Sequence, residues 1–421
     1  MEFHAKGQRK QRRNERNLLC KVCFSLARAR FEELKQYIPD FFPFYFSRVL
    51  PTFLLLKKDL VYQLALSQVP HIGYVHAKIL IQHFETAQQI FAARITDLEK
   101  MEGIGTVRAK SIKAYKDFDN ALKEIDFIEK YNIQSLFLKE ANYPQRLLHC
   151  YDPPTVLFYK GNADLNASKV LAIVGTRTNS DYGKQFTEKL VKDLSHLNIL
   201  IVSGLAFGID IIAHKSALKQ SLHTVAALGH GLDTIYPSEH TLIAKEMVKQ
   251  GGLLTEFFSK TKPDKHNFPS RNRLVAGMCD AVVLIETGIK GGSMITAELA
   301  NSYNRDVFAI PGRSTDAKSA GCNYLIRNNK AILLTEAKEL LDIMGWEESK
   351  KVTRKKQTAL FIELTDSERK ILNILQEKDL VSIDEINLSS ELSSSAVAAA
   401  LLNLELQNVV RAGAGKMYSL I

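Results

Sequence analysis

Between residues 170 and 208 the chain twice interrupts an apolar, strand-like run with a glycine turn: AIV runs into Gly175-Thr176-Arg177, and ILIV runs into Ser203-Gly204. Glycine at the carboxyl end of a parallel strand lets backbone N–H groups, and the N-terminus of the helix that follows, come close to an anion. Arg177 adds a planar, bidentate donor matched to phosphate oxygens. The pair of turns predicts a phosphate-reading crevice. The competing reading is two tight turns in an α/β fold that bind nothing.

The surrounding region favours the first reading. Short β-branched runs at 171–174, 199–202, 224–228, 281–285 and 307–310 alternate with helical segments. This alternation is the pattern of a doubly wound, mostly parallel sheet, an α/β core of Rossmann-like type. Ligands of such sheets bind outside the carboxyl ends of the strands, so the turns there are expected to converge. They are Gly175-Thr176-Arg177, Ser203-Gly204, Gly229-His230-Gly231, residues 286–293 and Pro311-Gly312-Arg313.

Two segments enrich this edge. KHNFPSRNRLVAG brings Lys265, Phe268, Arg271, Asn272 and Arg273 to the start of a helix, and GIKGGSMITAELA brings Lys290, Gly291, Gly292 and Ser293 to another. Cations, amides and a ring together suit a single-stranded backbone with exposed bases better than a mononucleotide. The plain alternative for Arg271 and Arg273 is a structural ion pair with Asp280 or Glu286.

No catalytic constellation is expected. Walker A spacing and GxGxxG are both absent, which removes the usual NTPase and dinucleotide readings. Ser203, Asp210 and His214 suggest a triad, but Ser203 lies outside a GxSxG elbow, and Asp210 and His214 are four apart in one expected helix, where packing is commoner. Asp210 and Asp233 are expected to cap helices or brace loops. No cofactor is expected.

The formal charge of +10 suggests a polyanionic partner, but residues 1–35 carry ten Lys/Arg against four Asp/Glu, a surplus of 10 − 4 = 6, leaving 10 − 6 = +4 for the rest. Much of the basicity is therefore a property of the tail, which reads as a solvated run first and a nucleic-acid arm second. The apolar stretch 41–56 is broken by Pro43, Arg48 and Pro51, so neither a membrane span nor a cleaved export signal is expected. Five scattered cysteines point to a reducing cytosol, and the lone Cys20/Cys23 pair lacks the second pair a zinc site needs.

Two related units, VPHIGYVHAKILIQHF and MEGIGTVRAKSIKAY, recur about thirty residues apart. Each reads as two short helices joined by a glycine-bearing turn, a helix-hairpin-helix that can offer amides to DNA phosphate. Gly103-Ile104-Gly105 with Arg108 and Lys110 is the fuller version, since His71 stands where the first unit would need its leading glycine. A helical bundle that only packs is the alternative. At the other end, Lys350, Lys351, Arg354, Lys355 and Lys356 mark a linker, and Thr365 and Glu368 have capping-box spacing. Further helices and a hairpin around Gly413-Ala414-Gly415 complete a winged-helix pattern. Its candidate recognition helix, 393–407, holds no lysine or arginine and one glutamate, which favours protein contact or packing over duplex reading.

The expected layout is therefore a basic extension at 1–58, a helix-hairpin-helix (SAM-like) domain at 59–135, the Rossmann-like core at 136–346, a charged linker at 347–364 and a winged-helix-like domain at 365–421. In order along the core, AIVGTR, SGLAFGID, AHKSAL, GLDTIYPSEH, FPSRNRLVAG, GGSMITAELA and FAIPG resemble the DNA processing protein A (DprA, also called Smf) family. The resemblance is dense from residue 143 to 332, and the flanking modules fit the family's layout; residues 1–58 have no counterpart. It implies a cytoplasmic, homodimeric protein that binds single-stranded DNA and helps load the RecA recombinase during natural transformation, without a chemical step. It also places the strand-binding positions on Arg177, Lys265, Arg271, Asn272, Arg273, Lys290, Gly292 and Ser293. Phe207 stands where many members carry lysine, and Ser238 where some do, departures expected to lower affinity or shift the strand's path. A rival class is a phosphoribohydrolase-type nucleotide-cleaving enzyme, because GGSMITAE loosely resembles that group's GGxGTxxE loop, with Glu298 positioning the ribosyl group or a water.

Overall fold

Val and Ile dominate the central runs, and branched side chains favour an extended backbone covered on both faces. In the computed structural model, which describes residues 59–346, 364–378, 380–407, 409–413 and 416–421, they become the middle of a nine-stranded sheet. Its strands are β1 (Gln134–Phe137), β2 (Val156–Gly161), β3 (Lys169–Val174), β4 (Ile199–Ser203), β5 (Thr224–Ala227), β6 (Gly251–Thr255), β7 (Ala281–Leu284), β8 (Asp306–Ala309) and β9 (Ile332–Leu333). The five expected runs appear as β3, β4, β5, β7 and β8, with ends moved by one or two residues.

The spatial order is β1-β2-β6-β5-β4-β3-β7-β8-β9. β6 through β9 are parallel, in register at pairs such as Val170↔Leu200 and Ala172↔Val282, and β1 and β2 add an antiparallel edge. The doubly wound reading thus holds. β1, β2, β6 and β9 are additions that the sequence did not announce. β6 opens on two glycines, Gly251 close against the Thr224 backbone and Gly252 under the Tyr159 ring, so it lacks the branched residues that mark its neighbours.

Alternation along the strands sends successive side chains to opposite faces. Val225, Ala227 and Leu254 join one core, with Leu274 and Val275 of helix Asn267–Gly277 and Met294 and Ala297 of helix Gly292–Ser302. Ala226, Leu228 and Leu253 join the other, with Ile211 of helix Ile209–Lys219 and Ala244 and Met247 of helix Thr241–Lys249. The first core continues into the helical domain, where Leu64, Leu80, Ile90, Leu98, Ile104 and Ile112 are buried.

That helical domain contains helices Tyr74–His83, Ala87–Ala92, Ile95–Glu99, Gly105–Ala114 and Asp119–Tyr131. In its two related turns His71 and Gly103 both adopt left-handed conformations, φ 66° and 80°. His71 therefore performs the backbone task of the missing glycine.

The chain divides into two compact units, with the second beginning at Leu334. Within it, helices Asp366–Glu377, Ile383–Ser390 and Ser394–Leu406 pack with a three-stranded sheet of β10 (Val381–Ser382), β11 (Val410–Gly413) and β12 (Met417–Leu420), in the order β10-β12-β11. The expected capping box forms: Glu368 N–H donates to Thr365 Oγ1 at 3.3 Å, and Thr365 N–H to Glu368 Oε2 at 2.8 Å. Cys20 and Cys23, the basic tail, the 41–56 stretch and the lysine-rich linker lie outside the described residues. Among the described residues no helix is long and apolar enough to cross a membrane.

Candidate nucleic-acid interface

β3 is flanked by β4, its successor in sequence, and by β7, reached only after a long excursion to the other side. In open sheets of this kind such a reversal of winding is where ligands bind, here at the carboxyl ends of β3 and β7. The turn 175–177 follows β3 and the loop 286–293 follows β7. The two are joined across the gap, where Thr176 N–H donates to Glu286 O at 2.6 Å.

Three helices begin near these turns without a side-chain cap: Ile209–Lys219 at Gly208, Asn267–Gly277 at His266 and Gly292–Ser302 at Gly291. By contrast, Ser180 caps helix Asp181–Asp193, its Oγ accepting from Gly183 N–H at 3.1 Å. First-turn N–H groups without an intrahelical acceptor carry the positive end of the helix dipole and are suited to anions. Gly208 is required for the approach of these pieces. At φ 79°, a Cβ there would run into Thr176 O and come within 2.7 Å of the Arg177 carbonyl carbon.

Arg177 is exposed, with its guanidinium carbon 5.4 Å from the centroid of the half-buried Phe268 ring. That ring also packs on Gly229 and lies 6.2 Å from the ring of Tyr236. Asn272 Nδ2 donates to Gly292 O at 3.3 Å, so the FPSRNR helix is tied to the glycine loop. Lys265, Lys290 and Gly292 are exposed, and Gly175, Thr176 and Gly291 are half-buried. Ser203 and Ser293 are buried with their hydroxyls used internally, Ser203 Oγ donating to Ile173 O at 2.6 Å and Ser293 Oγ to Thr287 Oγ1 at 2.8 Å.

Arg271 and Arg273 point inward, and each is only 5% exposed. Arg271 Nη1 lies 3.8 Å from Asp210 Oδ2 and 3.4 Å from Ala227 O. Gly204 makes room for it, since a Cβ at that position would overlap the guanidinium. Arg273 pairs with Glu256, donates to Asp152 O and stacks 3.6 Å over the Tyr74 ring, bolting the helical domain to the sheet. Neither guanidinium presents a free face to a strand in this geometry. The ion-pair alternative fits both, with different acids from those expected: Asp280 is taken by Arg146 at 2.6 Å, and Glu286 by Ser180. Glu256 follows β6, a strand the sequence did not announce.

The residues of the suggested triad are committed separately. Ser203 faces Ile173 O, Asp210 faces Arg271, and His214 Nδ1 lies 2.7 Å from Thr224 Oγ1. Burial drives the His214 imidazole down to about 3, so it is neutral near pH 7. Asp233 braces a loop, its Oδ1 accepting from Lys260 N–H at 2.8 Å. Glu298 is exposed on its helix. Among the described residues no group of three His, Cys, Asp or Glu side chains is placed to hold a metal ion.

The model of the family described as DNA recombination-mediator protein A matches residues 134–345, with a helix-hairpin-helix motif matching 63–124 and a DprA winged helix domain matching 356–416. Protein Smf of Synechocystis sp. is 33% identical over 396 residues, covering 86% of this chain and 99% of its own length. The chain belongs to the DNA recombination-mediator protein A family. DNA processing protein DprA of Streptococcus pneumoniae is 41% identical over 199 residues, 47% of this chain and 70% of that protein. A crystal structure of DprA from the same organism superposes with TM-score 0.58 at 31% identity, covering 67% of this chain and 97% of the other. This family member is thus a DNA-processing protein of the DprA/Smf group.

In its winged-helix unit, helix Ser394–Leu406 buries Val397, Ala400, Leu401 and Leu404 and turns Ala398, Ala399, Leu402, Asn403, Glu405 and Leu406 outward. The outward face carries no cation. In the helical domain, Gly105 has nothing within 4 Å of a notional Cβ, and Lys110 is exposed.

Proposed function

We propose that this family member binds single-stranded DNA along the carboxyl rim of its sheet, performs no chemical step, and as a cytoplasmic homodimer hands the strand to RecA during natural transformation. The observation that carries the binding reading is the group of exposed side chains at the switch point. There an exposed arginine lies over a half-buried ring, and the N-terminus of helix Gly292–Ser302 and two exposed lysines lie in the adjoining turns. Phosphate oxygens would meet Arg177, Lys265, Lys290 and the Gly292 amide at the start of its helix. Bases would meet Phe268. Ser203, Gly204, Asn272 and Ser293 hold the loops in place, and Arg271 and Arg273 support them from below. The exposed face of helix Ser394–Leu406, which carries Glu405 and no cation, argues against duplex reading by that helix. The RecA, dimer and cytoplasmic parts rest on family membership and on the resemblance of the ordered motifs.

A gel shift with oligothymidine tests the binding reading. Arg177→Glu and Lys265→Glu should each weaken binding at least about tenfold with unchanged circular dichroism, the scale of replacing one charge-assisted hydrogen bond by a repulsion. Binding by Arg177→Glu equal to wild type removes the assignment. Incubation with nucleoside monophosphates should release no base; release would favour the phosphoribohydrolase class instead.

A further inference from the structure

Phe207 is 44% exposed, an unusual position for a phenylalanine in a turn that is otherwise closely packed. The backbone on either side forces it outward. Leu205 and Gly208 both have positive φ, 65° and 79°, while Leu205 itself is fully buried, so the segment is pinned and Phe207 has nowhere inside to go. Its ring leans edge-on against His240, centroids 4.9 Å apart at 67°, and His240 is in turn held by its Nδ1 contact to Leu205 O at 2.8 Å. The ring therefore has one supported edge and one open face.

Its neighbours place it beside the strand-binding crevice. Gly208, the next residue, packs on the backbone of Thr176 and Arg177. Arg177 lies over Phe268, and Phe268 faces Tyr236, which is 51% exposed. The Arg177 guanidinium, Phe268 and Tyr236 thus form a chain of neighbouring planar groups, and Phe207 is tied to its Arg177 end through the backbone of Gly208. Planar groups flanking a phosphate donor are what a single strand needs to rest its bases while its backbone is neutralised.

We propose that Phe207 is a base-stacking residue, which with Phe268 and Tyr236 forms an aromatic rail for successive bases of a single strand on either side of Arg177. This rests on the single-strand reading given above and adds a second kind of contact to it. A stacking residue contributes affinity without releasing counterions, so its removal should lower affinity and leave the salt slope alone. A charge contact behaves the other way.

The test is fluorescence anisotropy of the full chain with two labelled probes of equal length, oligothymidine and an abasic strand, over a salt series. For oligothymidine, Phe207→Ala should weaken binding about fivefold or more, Phe207→Trp should restore it, and the log–log salt slope should be that of wild type. On the abasic strand, Phe207→Ala and wild type should bind alike, while Arg177→Glu should weaken both probes. Phe207→Lys should steepen the slope by about 0.7, the value for one added phosphate contact on a single strand. Equal binding of oligothymidine by wild type and Phe207→Ala, with Arg177→Glu still weakened, overturns the stacking role and leaves the single-strand reading standing. A loss on Phe207→Ala that is equally large on the abasic strand also overturns it, since the effect is then on the turn. No binding by wild type at low salt overturns both.

Discussion

Arg177 and Arg273 show how one residue type takes opposite duties within a single surface. Arg177 is exposed with an aromatic ring behind it, whereas Arg273 is buried against Glu256, Asp152 and Tyr74. Removing one member of a buried pair strands the other charge, at a cost of about 3–5 kcal/mol. Arg273→Ala should therefore lower unfolding free energy in urea by about that amount, while Arg177→Ala should leave it within about 0.5 kcal/mol. Equal stability of the two variants would contradict the division of roles. His214 gives a second residue-scale expectation. Its folded value is about 3 against an ordinary 6.5, so below pH 6.5 the unfolded chain takes a proton that the folded chain refuses. Stability is then lost as pH falls from 6.5 toward 3, by about 1.4 kcal/mol per pH unit from this group. Urea unfolding of His214→Gln should show a slope shallower by about one proton between pH 6 and 4; an unchanged slope rejects that assignment.

At the scale of elements, the strands that sequence announced are those whose burial on both faces demands branched residues: β3, β4, β5, β7 and β8. β6 was hidden because Gly251 fits against the Thr224 backbone and Gly252 against the Tyr159 ring, where branched residues have no room, and with it went the location of Glu256. Arg271 and Arg273 were legible as arginines near a helix start, but not as inward-facing, since direction depends on which acids the unannounced elements bring. The turns at Gly175 and Gly204 were legible because each glycine ends an apolar run, and that at Gly291 because a glycine pair precedes a helical segment. Gly204 offers a sharp check. A methyl group there would overlap the Arg271 guanidinium, so Gly204→Ala should destabilise the fold by several kcal/mol and also abolish binding, whereas Gly292→Ala, with open space around it, should be tolerated. Full stability of Gly204→Ala, read by thermal melting, would show that Arg271 does not pack against that glycine. In the second unit, Thr365→Ala removes the cap and should cost about 1 kcal/mol in that unit.

Over the whole molecule, affinity is expected to reside in the sheet rim. The three cations there assigned to phosphate are Arg177, Lys265 and Lys290, all exposed, and their contacts alone predict a log–log salt slope of about −2 per protomer, at about −0.7 per phosphate on a single strand. A chain cut to residues 59–346 should keep oligothymidine affinity within about threefold at moderate salt, because it retains Arg177, Lys265 and Lys290 and the ring of Phe268. A large fall in affinity on that cut would place the binding in the termini. The most direct measurement of the rim as the strand's path is photo-crosslinking of oligonucleotides carrying 5-iododeoxyuridine, with adducts mapped by mass spectrometry. Adducts concentrated at Phe207, Tyr236 and Phe268, and absent in Arg177→Glu, are the predicted result. Adducts confined to the winged-helix unit or to the helical hairpins would contradict it.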